Sequence, residues 1–154
     1  MTDDEVIELV TSLPGVDVVT ASAENGAPEV AWGDTFFFYD PERGIPADRR
    51  FPFATIVIQD YDGFDTASQL NRPGVFRVNV AAGRAGFTEL FGYPPAEQAG
   101  HQDSYDYAVL DQFIPHPTYA KQGWVSILNP TGANAERLRT LLTDAHAVAA
   151  KRHK

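Results

Sequence analysis

Two strand-like segments carry polar side chains at alternating positions. In "VFRVNVAA" these are Arg77 and Asn79, and in "GWVSILN" Trp124 and Ser126 alternate with valine and isoleucine. Because successive side chains of a strand point to opposite faces, each pair shares one face of a sheet. The polar members of the alternation in "FATIVIQD" are Thr55 and Gln59.

A guanidinium and an amide beside an aromatic plate suit a small planar or anionic ligand. We therefore expect Arg77 to anchor an anionic or carbonyl group. Asn79 and Gln59 would orient that group, and Trp124 would stack on the ligand. The alternative is an ordinary solvated polar face, with Trp124 as a core residue.

A histidine lies between two prolines shortly before the second segment. Pro115 and Pro117 restrict the backbone around His116, and the loop can bring this residue to the rim of the same face. Since histidine has an unperturbed pKa of about 6.5, His116 is the candidate catalytic residue, as a general base that needs no metal. Tyr119 is a candidate ligand contact from the same loop. The alternative is a His116 ring that caps a turn or packs on Tyr119.

The segment "AAGRAGF" places glycines between a strand and a helix, where phosphates can bind. Arg84 is the candidate anion contact there. The segment matches neither G-x-G-x-x-G nor a Walker loop. A tight turn that uses Gly83 and Gly86 is the alternative explanation.

We expect neither a metal nor a cofactor. Cysteine is absent, which excludes thiol catalysis and cysteine-based zinc sites. "DYDGFD" at 60–65 fails the spacing of a calcium loop, because its glycine falls at the fourth position. Imidazole and carboxylate groups that could bind a metal occur at His101, Asp103, Asp106 and His116. Their spacing matches no metal motif. Asp103 is instead expected to cap a helix.

The elements that must position these residues have clear signals. Thr2 and Glu5 form a capping box before the first amphipathic helix, and an apolar stripe over 138–149 predicts the last one. Asn25-Gly26 predicts a hairpin turn. Strands are expected in 16–22, 30–40, 51–60, 74–82 and 123–129, with Trp32 and Asp34 on one face of the second. Short helices are expected in 61–70, 83–92 and 103–113.

The composition is that of one globular domain spanning residues 1–154. The net charge is −9, although the segment from Glu136 onward contains five Lys/Arg and only two acidic residues. An acidic body repels a phosphate backbone, so nucleic acid is an improbable partner and the basic end is its only local exception. No secretory signal and no apolar run of about 20 residues is present, which favours a cytoplasmic protein without a membrane partner.

Strands in the middle and helices at both ends predict an α+β two-layer sandwich, with the N- and C-terminal helices on one face of an antiparallel sheet. "WGDTFFFY", "GWVSI" and "LRTLLTDAHAVAAKR" resemble the MmcQ/YjbR-like family. "PFATIVIQDYDGFD", "GVFRVNVAAGRAGFTELFG" and "HPTYAKQGWVSILNP" more closely resemble a bacterial family of unknown function that shares this fold. The resemblance implies a YjbR/CyaY-like sandwich and no established activity. The DNA binding suggested for the broader family fits poorly with the acidic body and with insertions at 59–73 and 93–113.

The sequence therefore favours a small soluble protein that binds a small-molecule ligand on the open sheet face, and it leaves open whether the protein is an enzyme. One alternative is a protein–protein interaction module that uses the same aromatic face, either as a monomer or as a homodimer. The other is weak nucleic-acid binding through the basic C-terminal helix.

Overall fold

A six-stranded antiparallel sheet organises the computed structural model, which describes residues 1–153. The strands are β1 (Val16–Thr20), β2 (Thr35–Tyr39), β3 (Ala54–Val57), β4 (Arg77–Ala81), β5 (Ile114–Pro115) and β6 (Trp124–Leu128), in the spatial order β1-β2-β3-β4-β6-β5. The helices are α1 (Asp3–Thr11), α2 (Gly83–Phe91) and α3 (Gly132–Arg152). Short 3-10 segments are Ala23–Asn25, Glu29–Ala31, Ala47–Arg49, Pro95–Ser104 and Ala120–Gln122.

The main core lies between one sheet face and the helices. Val78 and Val80 of β4 and Val125 and Ile127 of β6 are buried there, as the alternation predicts. Helices α1 and α3 contribute the other half of this layer, with Val6, Val10, Leu138, Leu141 and Leu142. Each such side chain stabilises the fold by roughly 1.5–3 kcal/mol through burial. The expected α+β sandwich is confirmed.

The predicted start of α1 is also confirmed. The Glu5 amide donates to Thr2 Oγ1 at 3.1 Å, and the Thr2 amide donates to Glu5 Oε1 at 3.0 Å. The terminal amine of Met1 donates to the carbonyl of Pro130 at 2.9 Å. This bond holds the first residue of the chain next to the segment between β6 and α3.

A smaller apolar layer covers part of the opposite face. Val57, Leu70, Ile114 and Leu128 form a second buried cluster, with Tyr61, Val75, Tyr105, Tyr107 and Val109 packed around it. These residues come largely from the segments at 59–75 and 105–114. The second sheet face is therefore closed by loops over one part and open over the rest.

Two of the expected short helices are wrong. Residues 61–70 form turns, because the amides and carbonyls of Tyr61 and Asp65 bond to each other at 2.8 and 2.9 Å and close a tight loop. Residues 105–113 are also non-helical, and the 3-10 segment ends at Ser104, where the helix was expected to begin. Asp106 instead accepts the Ala108 amide at 3.0 Å, which stabilises a local turn.

The expected hairpin forms, but Asn25-Gly26 is not a tight turn between its strands. β1 and β2 do pair, but residues 21–34 connect them. Asn25 bonds the Ser22 amide and the Thr20 carbonyl, so it closes a 3-10 turn rather than a strand ladder. β2 begins only at Thr35, and Trp32 and Asp34 therefore precede the strand instead of sharing one of its faces.

Within residues 1–153, no helix combines the length and the apolar character needed to cross a bilayer.

Gly123 is required where α2 begins beside β6. Its φ is +85°, and an added Cβ would lie 3.0 Å from the backbone of Gly83. We expect Gly123→Ala to lower the free energy of unfolding by roughly 1–3 kcal/mol, measured by urea denaturation. Gly100→Ala is the matched control, since a Cβ there meets open space, and it should change stability by less than about 0.5 kcal/mol. Equal denaturation midpoints for the two variants would contradict this role.

Candidate functional site

A polar row crosses the sheet on the face away from the helices. The strand register aligns Thr55, Asn79 and Ser126 on β3, β4 and β6. Asn79 donates through Nδ2 to Thr55 Oγ1 at 2.9 Å, and its Oδ1 accepts from Ser126 Oγ at 2.6 Å. All three are buried. Because each is satisfied by a neighbour, the row forms a rigid polar floor.

Arg77 extends this floor, and it is completely buried. Its Nε donates to Asn79 Oδ1 at 2.9 Å, and two further nitrogens hold Asp65 in a bidentate pair at 2.6 and 3.1 Å. The Ser68 hydroxyl accepts a fourth bond at 3.0 Å. Burial alone would raise the pKa of Asp65, but the hydrogen bonds and the charge of Arg77 outweigh burial and lower it. The guanidinium is thus already paired with a carboxylate.

A cavity of about 740 Å³ lies above this floor, which is within the size range of small-molecule sites. Thr55, Asp65, Arg77 and Asn79 are the polar groups at its base. Six aromatic side chains form its walls and mouth, namely Phe36, Phe51, Tyr61, Phe64, Tyr119 and Trp124. The rings of Phe64 and Tyr119 approach to 6.2 Å between centroids, so two separate loops meet across the cavity. We call this space the aromatic cavity.

His116 lines the aromatic cavity with one ring nitrogen fixed. Its Nδ1 accepts the backbone amides of Thr118 and Tyr119, both at 3.0 Å. Burial, followed by the positive charge of Arg77, lowers the pKa of His116 to about 3. The ring is therefore neutral near pH 7 and carries its proton on Nε2, which has no hydrogen-bond partner in the described part of the chain.

This geometry suits hydrogen-bond donation by His116 better than proton abstraction. A base would have to take its proton on Nδ1, whose lone pair is directed at two amides. The ring also lies 5.0 Å from the Tyr119 ring. The alternative interpretation from the sequence, a histidine that caps a turn and packs on Tyr119, describes this arrangement.

The structure brings together four more of the expected site residues and separates two. Arg77, Asn79, Tyr119 and Trp124 all line the aromatic cavity. Gln59 lies elsewhere, with its amide nitrogen bonded to the carbonyls of Val30 and Trp32. Arg84 lines a neighbouring groove. Gln59 thus ties down the 21–34 connection, which no alternation pattern could reveal.

Two acidic residues at or beside the site were not predicted as site residues from the sequence. Asp65 lines the aromatic cavity, whereas Asp34 contacts its wall residue Tyr61. Asp65 is the partner of Arg77. Asp34 is fully buried and accepts the Ile58 amide at 2.8 Å and the hydroxyl of Tyr61. Burial raises the pKa of Asp34 to about 6, although both hydrogen bonds oppose that shift. The available signal was Arg77 itself, because an arginine on a buried strand requires a carboxylate.

In the part of the chain that the structure describes, no group of three or more metal-ligating side chains is positioned to hold an ion. His101 stacks on Tyr93 with ring centroids 3.7 Å apart. Asp106 caps its local turn, and His116 lies in the aromatic cavity. Three of the four side chains considered from the sequence are therefore engaged separately. Asp103 lies inside the 3-10 segment Pro95–Ser104, so it does not cap a helix as expected.

The comparisons with known proteins show a fold and a family. The crystal structure of Deinococcus radiodurans protein DR2400, with a DUF419 domain, matches with a TM-score of 0.56 and 15% identity, and the match covers 98% of this chain and 80% of that chain. At this identity the likeness shows the fold alone. No curated protein matches the sequence. The model of a family of unknown function, DUF6194, matches residues 1–154, so the chain belongs to that family.

Removing one partner of the buried Arg77–Asp65 ion pair should destabilise the fold. We expect Arg77→Met to lower the free energy of unfolding by roughly 3–5 kcal/mol, because the Asp65 carboxylate stays buried without its counterion. The double variant Arg77→Met with Asp65→Leu should recover part of that loss. The control is Arg137→Met, whose partner Glu89 is exposed, with an expected loss below about 1 kcal/mol. Urea denaturation measures all three. A loss below about 1 kcal/mol for Arg77→Met alone would show that the fold does not depend on this ion pair.

Asp34 should titrate far above Asp111. The ordinary pKa of an aspartate is 3.8, and burial raises that of Asp34 to about 6. Between these values the native state binds the extra proton, so this group makes stability fall as pH rises from about 4 to 6. Asp34→Asn should remove this slope.

Carboxyl carbon shifts in a ¹³C-labelled sample give both midpoints directly. Asp111 serves as the internal control, because hydrogen bonds from Thr131 lower its pKa. An Asp34 midpoint below 4 would contradict the prediction.

Proposed function

We propose that this member of the DUF6194 family binds a small planar heterocycle in the aromatic cavity. The observation that carries the proposal is the combination of six aromatic side chains with a polar floor in one cavity of about 740 Å³. Aromatic walls favour a flat ring through stacking, and a few fixed polar groups orient it.

The polar groups offer both a donor and an acceptor. His116 presents Nε2–H, because Nδ1 is occupied by two amides. Each oxygen of Asp65 takes one bond from Arg77, and a carboxylate can accept about four. Asp65 and His116 both line the aromatic cavity, so the acceptor and the donor face the same space. A heterocycle with an acceptor next to an N–H group, such as a nucleobase edge, complements this pair.

The paired state of Arg77 favours a neutral ring over an anion at the floor. Its charge is matched by Asp65, and Asn79 and Ser68 take two of its other donors. Metal-free acid–base chemistry receives less support, because His116 is held as a neutral donor. The proposal is therefore binding, with Trp124 and Tyr119 as stacking groups and Asn79 as a rigid support.

An interaction module is the second candidate. Phe51 and Phe64 are 83% and 59% exposed at the mouth of the cavity, and exposed aromatic patches are common at interfaces. In this case a second copy of the chain or another protein would cover the mouth.

We also propose that the chain is related to the MmcQ/YjbR-like family, because such a relation accounts for the sheet and the terminal helices.

The ligand proposal is tested by titrating ¹⁵N-labelled protein with neutral bases and nucleosides. Shift changes are expected around residues 61–68, 77–81 and 116–124. Trp124→Ala should weaken binding roughly tenfold or more through lost stacking.

The matched control is Trp32→Ala, because Trp32 is the other tryptophan, is 40% exposed and lies outside the cavity. Equal weakening by both variants, or no binding by any compound, would refute the ligand proposal. A concentration-dependent dimer in sedimentation, abolished by Phe51→Ser, would favour the interface instead.

A further inference from the structure

A second concave surface adjoins the aromatic cavity and has the opposite electrostatic character to the rest of the protein. It has a volume of about 570 Å³ and is lined by Arg49, Arg50, Arg84, Arg152 and His153, with no Asp or Glu among its lining residues. The whole chain has 21 acids and 12 bases. A groove with four arginines and no acid is therefore a local reversal of charge. We call it the arginine groove.

Three of these arginines are free to meet a ligand. Arg50 is held by Asp17 at 2.6 Å and lies 4.0 Å above the Phe38 ring. By contrast, Arg49, Arg84 and Arg152 are exposed, and none of them forms an ion pair with an acidic side chain anywhere in residues 1–153. Unpaired guanidiniums that converge on one groove favour a multiply charged anion.

The arginine groove borders the aromatic cavity. Phe51, Pro52, Ala81, Gln122 and Arg152 line both spaces. One ligand can therefore place a ring over the polar floor and a charged group among the arginines. Helix α2 also begins in the groove at Gly83, so the partial positive charge of its N-terminus adds to that of Arg84.

We propose that the arginine groove binds the phosphate groups of the same ligand whose ring occupies the aromatic cavity. The inference rests on the proposed function and narrows the ligand to a phosphorylated heterocycle of the mononucleotide class. Three guanidiniums provide several parallel donors for phosphate oxygens. A polymer is disfavoured, because the acidic surface beyond the groove repels an extended phosphate backbone.

The groove is tested first without any ring, with inorganic pyrophosphate as the probe. Titration of ¹⁵N-labelled protein should perturb residues 49–53, 81–84 and 149–153. The double variant Arg84→Gln with Arg152→Gln should weaken pyrophosphate binding roughly fivefold or more. Arg137→Gln is the control, since Arg137 lies on α3 and is paired with Glu89 outside the groove. Equal effects of the arginine variants, or no binding, would overturn the inference.

Pairs of nucleosides and nucleotides then test whether one ligand occupies both the aromatic cavity and the arginine groove. Each nucleoside is compared with its 5′-mono- and diphosphate by calorimetry at two salt concentrations. The phosphorylated member should bind at least fivefold more tightly, with a gain that the double variant removes and that salt reduces. If nucleosides bind and phosphates add nothing, the inference fails while the proposed function stands. If no member binds, the proposed function fails. Tighter binding of single-stranded oligonucleotides than of mononucleotides would also overturn the inference.

Discussion

The buried ion pair between Arg77 and Asp65 is the constraint on which the candidate site depends. Arg77 belongs to a central strand, whereas Asp65 belongs to the loop between β3 and β4. An arginine without solvent contact needs a carboxylate, and the loop is the element that supplies it. Tyr61 and Phe64 are carried by the same loop, so the ion pair also determines where two walls of the aromatic cavity stand. A polar interaction thereby positions an apolar surface.

The strand pattern predicted the floor of the site and one wall residue, Trp124, but not the walls that the loop between β3 and β4 supplies. Arg77, Asn79 and Trp124 could be placed on one side of the sheet because side chains alternate with a period of two. The partner of Arg77 lies 12 residues before it in an irregular loop, where no period exists. For His116 the sequence offered a general base and a turn cap, and only the two backbone amides at Nδ1 decide between them. The alternation holds only to the end of β3 at Val57. It could not place Gln59, because the chain has left the strand by that residue.

The unpaired arginines of the arginine groove are gathered in one region of an acidic protein. Net acidity keeps most of the surface unfavourable for anions, while the arginine groove gathers cations from three distant parts of the chain. At the base of the aromatic cavity there is no such excess of positive charge, since the charges of Arg77 and Asp65 cancel in an ion pair. In the proposed binding mode, a flat uncharged group and a compact anion would occupy neighbouring but separate places. Such separation gives orientation as well as affinity.

The proline-flanked segment before β6 has one more consequence, which concerns self-association. β5 has only two residues, and its second residue, Pro115, has no amide hydrogen to offer an incoming strand. The next amide, that of His116, already donates to the Trp124 carbonyl at 3.1 Å. Short edge strands with proline resist templated growth of a sheet. The segment that presents the imidazole therefore also closes this border of the sheet against polymerisation, and leaves β1 as the border at which another chain would have to add.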